Sequence, residues 1–239
     1  MTKPAAPPWP AEGARLLEPS ISYALAVVAA VTPELLSRPT PCREWDLRML
    51  LRHASESLAT IGAAIEAGRV GLNPGAEDDD LAADPARAFR DRACRLLDAC
   101  VSQRQVIEIG GCPLAAGIMA ATAALEIAVH GWDITRACGR RRPIPRALAT
   151  DLLVIAPVLV PGTGRHPLFA AAVTVAATAS PSDRLAAFLG RTPGSEDYHA
   201  VLAERSATNE ILTTDQRNFR VNTQWTRRFD AFRILPADL

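Results

Sequence analysis

The chain lacks several features that would place it in a common class of protein. Lys and Arg together number 26, as do Asp and Glu, so no net charge exists to attract nucleic acid or an anionic membrane surface. Five cysteines in 239 residues form no C-x-x-C pair, and this odd number indicates reduced thiols, not a disulfide framework. The longest apolar run carries Glu126 and His130, which argues against a membrane span, and residues 1–13 lack the apolar segment of a signal peptide. We therefore expect a cytoplasmic protein without nucleic-acid or membrane partners.

Histidine is also scarce, with four in the chain, yet one lies in the longest apolar helical pattern, Leu114–Gly139. Glu126 and His130 are four residues apart there, so a helix places both side chains on one face. A carboxylate and an imidazole among apolar groups must be paired, hydrogen-bonded or metal-bound. Spacing alone leaves a satisfied polar pair and a metal site both open. Gly131 follows His130 directly. Since an interior glycine costs a helix about 1 kcal/mol relative to alanine, we expect a neighbouring group to occupy the space that a side chain at position 131 would fill.

A third metal-capable residue, His53, lies in a second helical pattern that begins after a favourable N-cap, Asp46. If the two helices pack together, three N and O ligands could hold one ion and leave coordination positions open, as in catalytic sites. Glu56 is three residues further on and forms only a reversed fragment of a di-iron motif, so one metal is favoured over two. Glu56 is then either a candidate for the outer shell or substrate side of the site, or a solvent-exposed residue.

Three segments carry a resemblance to a known family. TPCREWDLRMLLRH (Thr40–His53), ALEIAVHGWDITRACG and the later DRLAAFLGRTP together resemble the DinB-like metal-binding family. That family includes the mycothiol-dependent maleylpyruvate isomerase N-terminal domains and related thiol S-transferases of actinobacteria. The resemblance covers about residues 13–193 and implies that His53, Glu126 and His130 bind one divalent metal. Zinc is the expected ion, although such a ligand set also accepts Ni, Co or Fe.

The resemblance also implies a reaction. Mycothiol or a similar low-molecular-weight thiol would act as a metal-activated thiolate on a small electrophile, which makes the protein a thiol transferase or an isomerase. Asp133 and Arg136 extend along the same helix and are candidates for contacts with the metal ligands or with substrate, and Arg136 could instead stabilise the helix dipole. The alternative function is a non-catalytic metal-binding bundle with a binding or stress-related role.

The helical patterns predict a mainly α fold, an up-down four-helix bundle of the DinB-like kind. Trp45, just before Asp46, is interpreted as a packing residue. A short extended piece is predicted at VIEIGG, after the third helix. The predicted helices cover about residues 14–36, where Pro19 and Pro33 could divide the first, then a helix beginning after Asp46, 85–101, 114–139, 146–160 and 183–189.

Three regions are predicted: a flexible lead over 1–12, the metal-binding bundle over 13–193 and a small α/β tail over 194–239. The tail, from about residue 197, weakly resembles the end of a PIN ribonuclease domain, with short strands at Glu210–Thr214 and Phe232–Leu235. Two strands form only a marginal unit in water. We therefore expect the tail to pack on the bundle within a homodimer.

Overall fold

The fold is a mainly α-helical bundle, as predicted. The computed structural model describes residues 9–42, 45–70, 84–99, 106–109, 112–160, 162, 165 and 169–194. The described residues form six α-helices and one 3-10 turn, Pro33–Leu35. The helices are α1 (Trp9–Val28), α2 (Leu47–Ala67), α3 (Pro85–Ala99), α4 (Ala116–Ala137), α5 (Arg146–Leu159) and α6 (Pro181–Phe188).

A small sheet follows α2 and precedes α4. Its strands are β1 (Arg69–Val70), β2 (Val106–Ile109) and β3 (Cys112–Ala115), in the order β1-β2-β3. β1 runs parallel to β2 and β2 antiparallel to β3, with Ile107 opposite Leu114. The extended piece predicted at VIEIGG is thus confirmed as β2. The central helix consequently begins at Ala116 and not at Leu114, because the residues before it are taken up by β3.

The first helix differs from its prediction at both ends. It begins at Trp9 instead of residue 14, since Pro10 lies in the first turn, where a proline is tolerated. Pro19 lies within α1 on its exposed side and does not divide the helix. α1 ends at Val28, and Pro33 begins the separate 3-10 turn. The helix predicted to reach residue 36 is therefore eight residues shorter at its end.

α4 is the centre of the bundle and is buried along most of its length. α1 packs along it most extensively, and α2 contacts both α3 and α4. Small residues permit this close packing: a Cβ at Gly13 would lie 1.9 Å from the Gly117 carbonyl oxygen. The buried residues Ala120, Ala121, Ala124 and Ala128 continue the series of small side chains. A helix surrounded in this way carries apolar or small residues on most of its circumference, which accounts for the long apolar run in the sequence.

The helix ends follow the sequence signals. The Asp46 carboxylate accepts a hydrogen bond from the Met49 amide at 2.8 Å and caps α2, as predicted. α4 stops at Gly139, which has φ 69°. The Gly139 amide donates to the Arg136 carbonyl, and the Arg140 amide donates to the Thr135 carbonyl. These two bonds form a Schellman motif, which only a residue tolerant of positive φ closes without strain.

None of the helices in the described part of the chain combines the length and the hydropathy that a membrane crossing requires. The strands predicted in the tail and the acidic run Glu77–Asp80 lie outside the described residues.

Candidate metal centre

The three predicted ligands come together where α2 meets α4. Glu126 Oε1 lies 3.1 Å from His53 Nε2 and 3.6 Å from His130 Nε2. All three side chains are buried, with no more than 9% of any residue exposed. The imidazole rings of His53 and His130 meet edge to face, with centroids 5.2 Å apart. Two histidine nitrogens and one carboxylate oxygen thus converge on one small region inside the bundle, which we call the Nε2 group.

The spacing of the Nε2 group fits a metal ion. Zinc binds histidine nitrogen and carboxylate oxygen at about 2.0–2.2 Å, so neighbouring ligands of a tetrahedral site are roughly 3.3 Å apart. The separations from Glu126, 3.1 and 3.6 Å, bracket that value. All three ligand atoms lie within 4.8 Å of one another. Three protein donors would leave a tetrahedral position for an exogenous ligand.

Asp133 supports His130 from the other side of its ring. Its Oδ2 lies 3.2 Å from His130 Nδ1, three residues away on α4, and its side chain is fully buried. Burial alone would lower the pKa of His130, but hydrogen bonds with Asp133, Cys42 and Glu126 outweigh it and raise the pKa well above 6.5. A carboxylate on the second nitrogen of a histidine is the usual support of a metal-binding imidazole. The structure places Asp133 beside a candidate ligand, and its role in holding His130 or in contacting a substrate stays a prediction.

Arg191 compensates the buried charge of Asp133. Its Nη2 donates to Asp133 Oδ2 at 2.7 Å, and its Nε donates to Oδ1 at 3.2 Å. Burial would raise the pKa of Asp133, yet the charge of Arg191 and the hydrogen bond with His130 hold it far below its usual range. The carboxylate is therefore ionised at neutral pH. The same interaction raises the pKa of Arg191 against the opposing effect of burial.

A second set of metal-capable atoms shares His130. Cys42 Sγ lies 3.3 Å from Asp133 Oδ2 and 3.9 Å from His130 Nδ1. Cys42, His130 and Asp133, here called the Nδ1 group, therefore also satisfy metal-ligand spacing. The two groups use opposite nitrogens of one imidazole ring.

The sequence patterns did not indicate that Cys42 and Arg191 belong to the site. Both lie in the motifs that carried the family resemblance, in TPCREW and in FLGRTP. Their inclusion in those motifs was the one indication in the sequence that these two residues belong to the site. Their contacts depend on pairings across 91 and 58 residues, respectively, which no local pattern encodes.

Aromatic residues pack against His53 and against Gly131. The Trp45 ring packs at 4.7 Å from the His53 ring, so the predicted packing residue lies directly against a candidate ligand. Trp132 is buried on α4, in the core. A Cβ at Gly131 would lie 2.8 Å from Tyr23 Cε1. The space predicted at Gly131 is thus occupied by a side chain of α1.

Arg136 and Glu56 were the other two candidates for substrate contacts. The Arg136 guanidinium lies 5.3 Å from the Trp132 ring centroid and reaches the Pro193 carbonyl at 3.5 Å. It also lies in the last turn of α4, where a cation favours the helix dipole. Glu56 is half-buried on α2. A substrate contact by either residue stays a prediction.

Comparison with known proteins identifies the family. Residues 17–135 match the mycothiol maleylpyruvate isomerase N-terminal domain. The chain is also 30% identical, over 173 residues, to the uncharacterized proteins MT0763 and Rv0738 of two Mycobacterium tuberculosis strains. Each match covers 70% of this chain and 91% of the relative. No solved structure gives a significant match.

The chain therefore belongs to the mycothiol maleylpyruvate isomerase N-terminal domain family. The matched range contains His53, Glu126, His130 and Asp133, and it ends before Arg136 and Arg191. The family name connects the domain with a low-molecular-weight thiol, and the described residues contain groups that could hold a metal.

Proposed function

We propose that His53, Glu126 and His130 bind one divalent cation, with zinc the expected ion and Ni, Co or Fe also accepted. The observation that carries this proposal is the convergence of two imidazole nitrogens on one carboxylate oxygen at 3.1 and 3.6 Å. Its charges agree, because the combined cluster of both groups holds two carboxylates against the single guanidinium of Arg191. With both imidazoles neutral, the cluster carries one net negative charge, so a divalent cation together with one bound thiolate would bring it to neutrality.

We further propose that the protein is a thiol-dependent transferase or isomerase that uses mycothiol or a similar thiol on a small electrophile. A bound divalent cation would lower the pKa of a coordinated thiol, so that it is a thiolate at neutral pH. The protein residues have separate tasks. The ligand atoms come from His53, Glu126 and His130. The Asp133 carboxylate accepts a hydrogen bond from Nδ1–H of His130 and so holds the ring with Nε2 on the side of Glu126. The Trp45 ring packs against His53, which is almost fully buried.

The first test measures metal content. Elemental analysis of the full chain should find one divalent metal per chain. His130→Ala and Glu126→Gln should each weaken binding by more than the roughly 10- to 100-fold typical of losing an outer-shell partner. Glu18→Gln, an exposed carboxylate on α1, is the matched control and should bind normally. If His130→Ala retains metal like the unmodified chain, the ligand assignment is wrong.

The second test addresses turnover. Metal-loaded protein is incubated with mycothiol and a panel of electrophiles including maleylpyruvate, and mass spectrometry detects thiol adducts and isomerised product. Product should form with the unmodified chain and fall to background with His130→Ala. Metal binding without any product would instead support the non-catalytic metal-binding bundle.

A further inference from the structure

The two metal-capable groups compete for His130. The Nε2 group uses one ring nitrogen, toward Glu126 at 3.6 Å, and the Nδ1 group uses the other, toward Asp133 at 3.2 Å. A neutral imidazole carries its proton on one nitrogen and offers only the other as a ligand. Whichever group holds a cation therefore decides where the proton of His130 lies.

The Nδ1 group already contains a cation, the guanidinium of Arg191. Its Nη2 lies 2.7 Å from Asp133 Oδ2 and 3.6 Å from Cys42 Sγ. Its Nε binds the second oxygen of the same carboxylate. Arg191 thus occupies both oxygens of Asp133 and approaches the sulfur, which are the atoms that would otherwise attract a metal ion. Besides Arg191, Asp133 Oδ2 contacts His130 Nδ1 at 3.2 Å and the Cys42 thiol at 3.3 Å.

The end of α6 fixes this arginine in place. Gly190 has φ 84°; its amide donates to the Ala187 carbonyl, and the Arg191 amide donates to the Ala186 carbonyl. These bonds form a Schellman motif that reverses the chain at Gly190. The Arg191 side chain is held by its own Nη1, which donates to the Leu189 carbonyl at 2.9 Å. Arg191 is therefore held both at its backbone and at its guanidinium group, which reduces the side-chain entropy lost when the guanidinium binds Asp133.

We propose that Arg191 is a positioning residue that selects which side of His130 receives the metal. By filling the cation position between Cys42 and Asp133, it leaves only the Nε2 side of His130 for the metal and excludes Cys42 from coordination. This inference rests on the proposed metal site. It predicts that loss of the guanidinium makes the thiol of Cys42 available as a metal ligand.

Cobalt(II) titration of the full-length protein tests the proposal, because thiolate coordination produces a strong near-ultraviolet charge-transfer band that nitrogen and oxygen ligands lack. The unmodified chain should bind cobalt without this band. Arg191→Met should bind cobalt on the order of 10-fold more weakly at the Nε2 group and should show the band. The band should vanish again in Arg191→Met combined with Cys42→Ser.

Two further variants separate selection from simple structural support. Arg191→Lys keeps a positive charge beside Asp133 and should show no band, whereas Arg184→Ala, an exposed arginine of α6, should behave like the unmodified chain. Circular dichroism verifies that each variant is folded, and Arg191→Gln replaces Arg191→Met if the latter does not fold. A folded neutral variant at position 191 that binds cobalt without the band overturns the proposal. An unmodified chain that binds no cobalt, zinc or nickel refutes the proposed metal site itself.

Discussion

Replacing Gly131 with alanine should destabilise the protein, although alanine is the better helix former. Gly131 lies in α4, directly after the candidate ligand His130. An added Cβ would lie 2.8 Å from Tyr23 Cε1 and 3.1 Å from Cδ1, closer than carbon atoms normally approach. The Tyr23 ring cannot move away freely, because it is buried and its hydroxyl donates to the Arg142 carbonyl at 2.8 Å.

The expected change in the free energy of unfolding follows from one stabilising and two destabilising contributions. Alanine favours the helix by about 1 kcal/mol over glycine. Overpacking of a buried site costs about 1–3 kcal/mol. Displacement of the Tyr23 hydroxyl from its acceptor costs about 0.5–1.5 kcal/mol more. The free energy of unfolding should therefore fall by roughly 0.5–3.5 kcal/mol.

The chain supplies a matched control in Gly62, which lies inside α2 with no atom within 4 Å of an added Cβ. Gly62→Ala should raise the free energy of unfolding by up to about 1 kcal/mol. Urea unfolding followed by tryptophan fluorescence measures both variants. Tyr23→Leu should restore part of the loss in Gly131→Ala, which a double-mutant cycle detects. If Gly131→Ala gains stability as Gly62→Ala does, the close contact with Tyr23 is not a constraint and the reasoning is wrong.

Three further predictions concern the site and its surroundings. Trp45→Phe should retain metal binding, since phenylalanine still packs on His53; metal loss at unchanged circular dichroism would contradict the packing role. Burial raises the pKa of Cys138, so alkylation of this thiol in the folded protein should begin at higher pH than alkylation of a model thiol. The stability that this group contributes should be lost as pH rises through its folded-state pKa. An alkylation profile like that of the model thiol would argue against the burial of Cys138. Truncation after Pro193 should lower the Tm or the number of chains per particle in light scattering, and no change in either would show that the tail is dispensable.

Much of the fold was determined by local sequence patterns, because they depend on contacts within one helix or turn. Asp46 caps α2 and Gly139 terminates α4 where the sequence indicated. The pairing of Glu126 with His130 follows from helical spacing alone. The ends of α1 were predicted less accurately. Pro10 and Pro19 do not interrupt it, since one lies in the first turn and the other faces solvent, and neither placement is encoded by the residue type.

The candidate site depended on tertiary structure for half of its members. His53 reaches Glu126 across 73 residues, an arrangement that the sequence raised only on the condition that two helices pack together and that the family resemblance then implied. Arg191 and Cys42 join Asp133 from still other segments, and neither was assigned a role from the sequence. Helical periodicity determines which side chains share a face of one helix, but it contains no information about which face of another helix lies opposite. The sequence by itself therefore determined two metal-capable side chains on one helix, and only the packing of α2, α4 and the end of α6 decided what surrounds them.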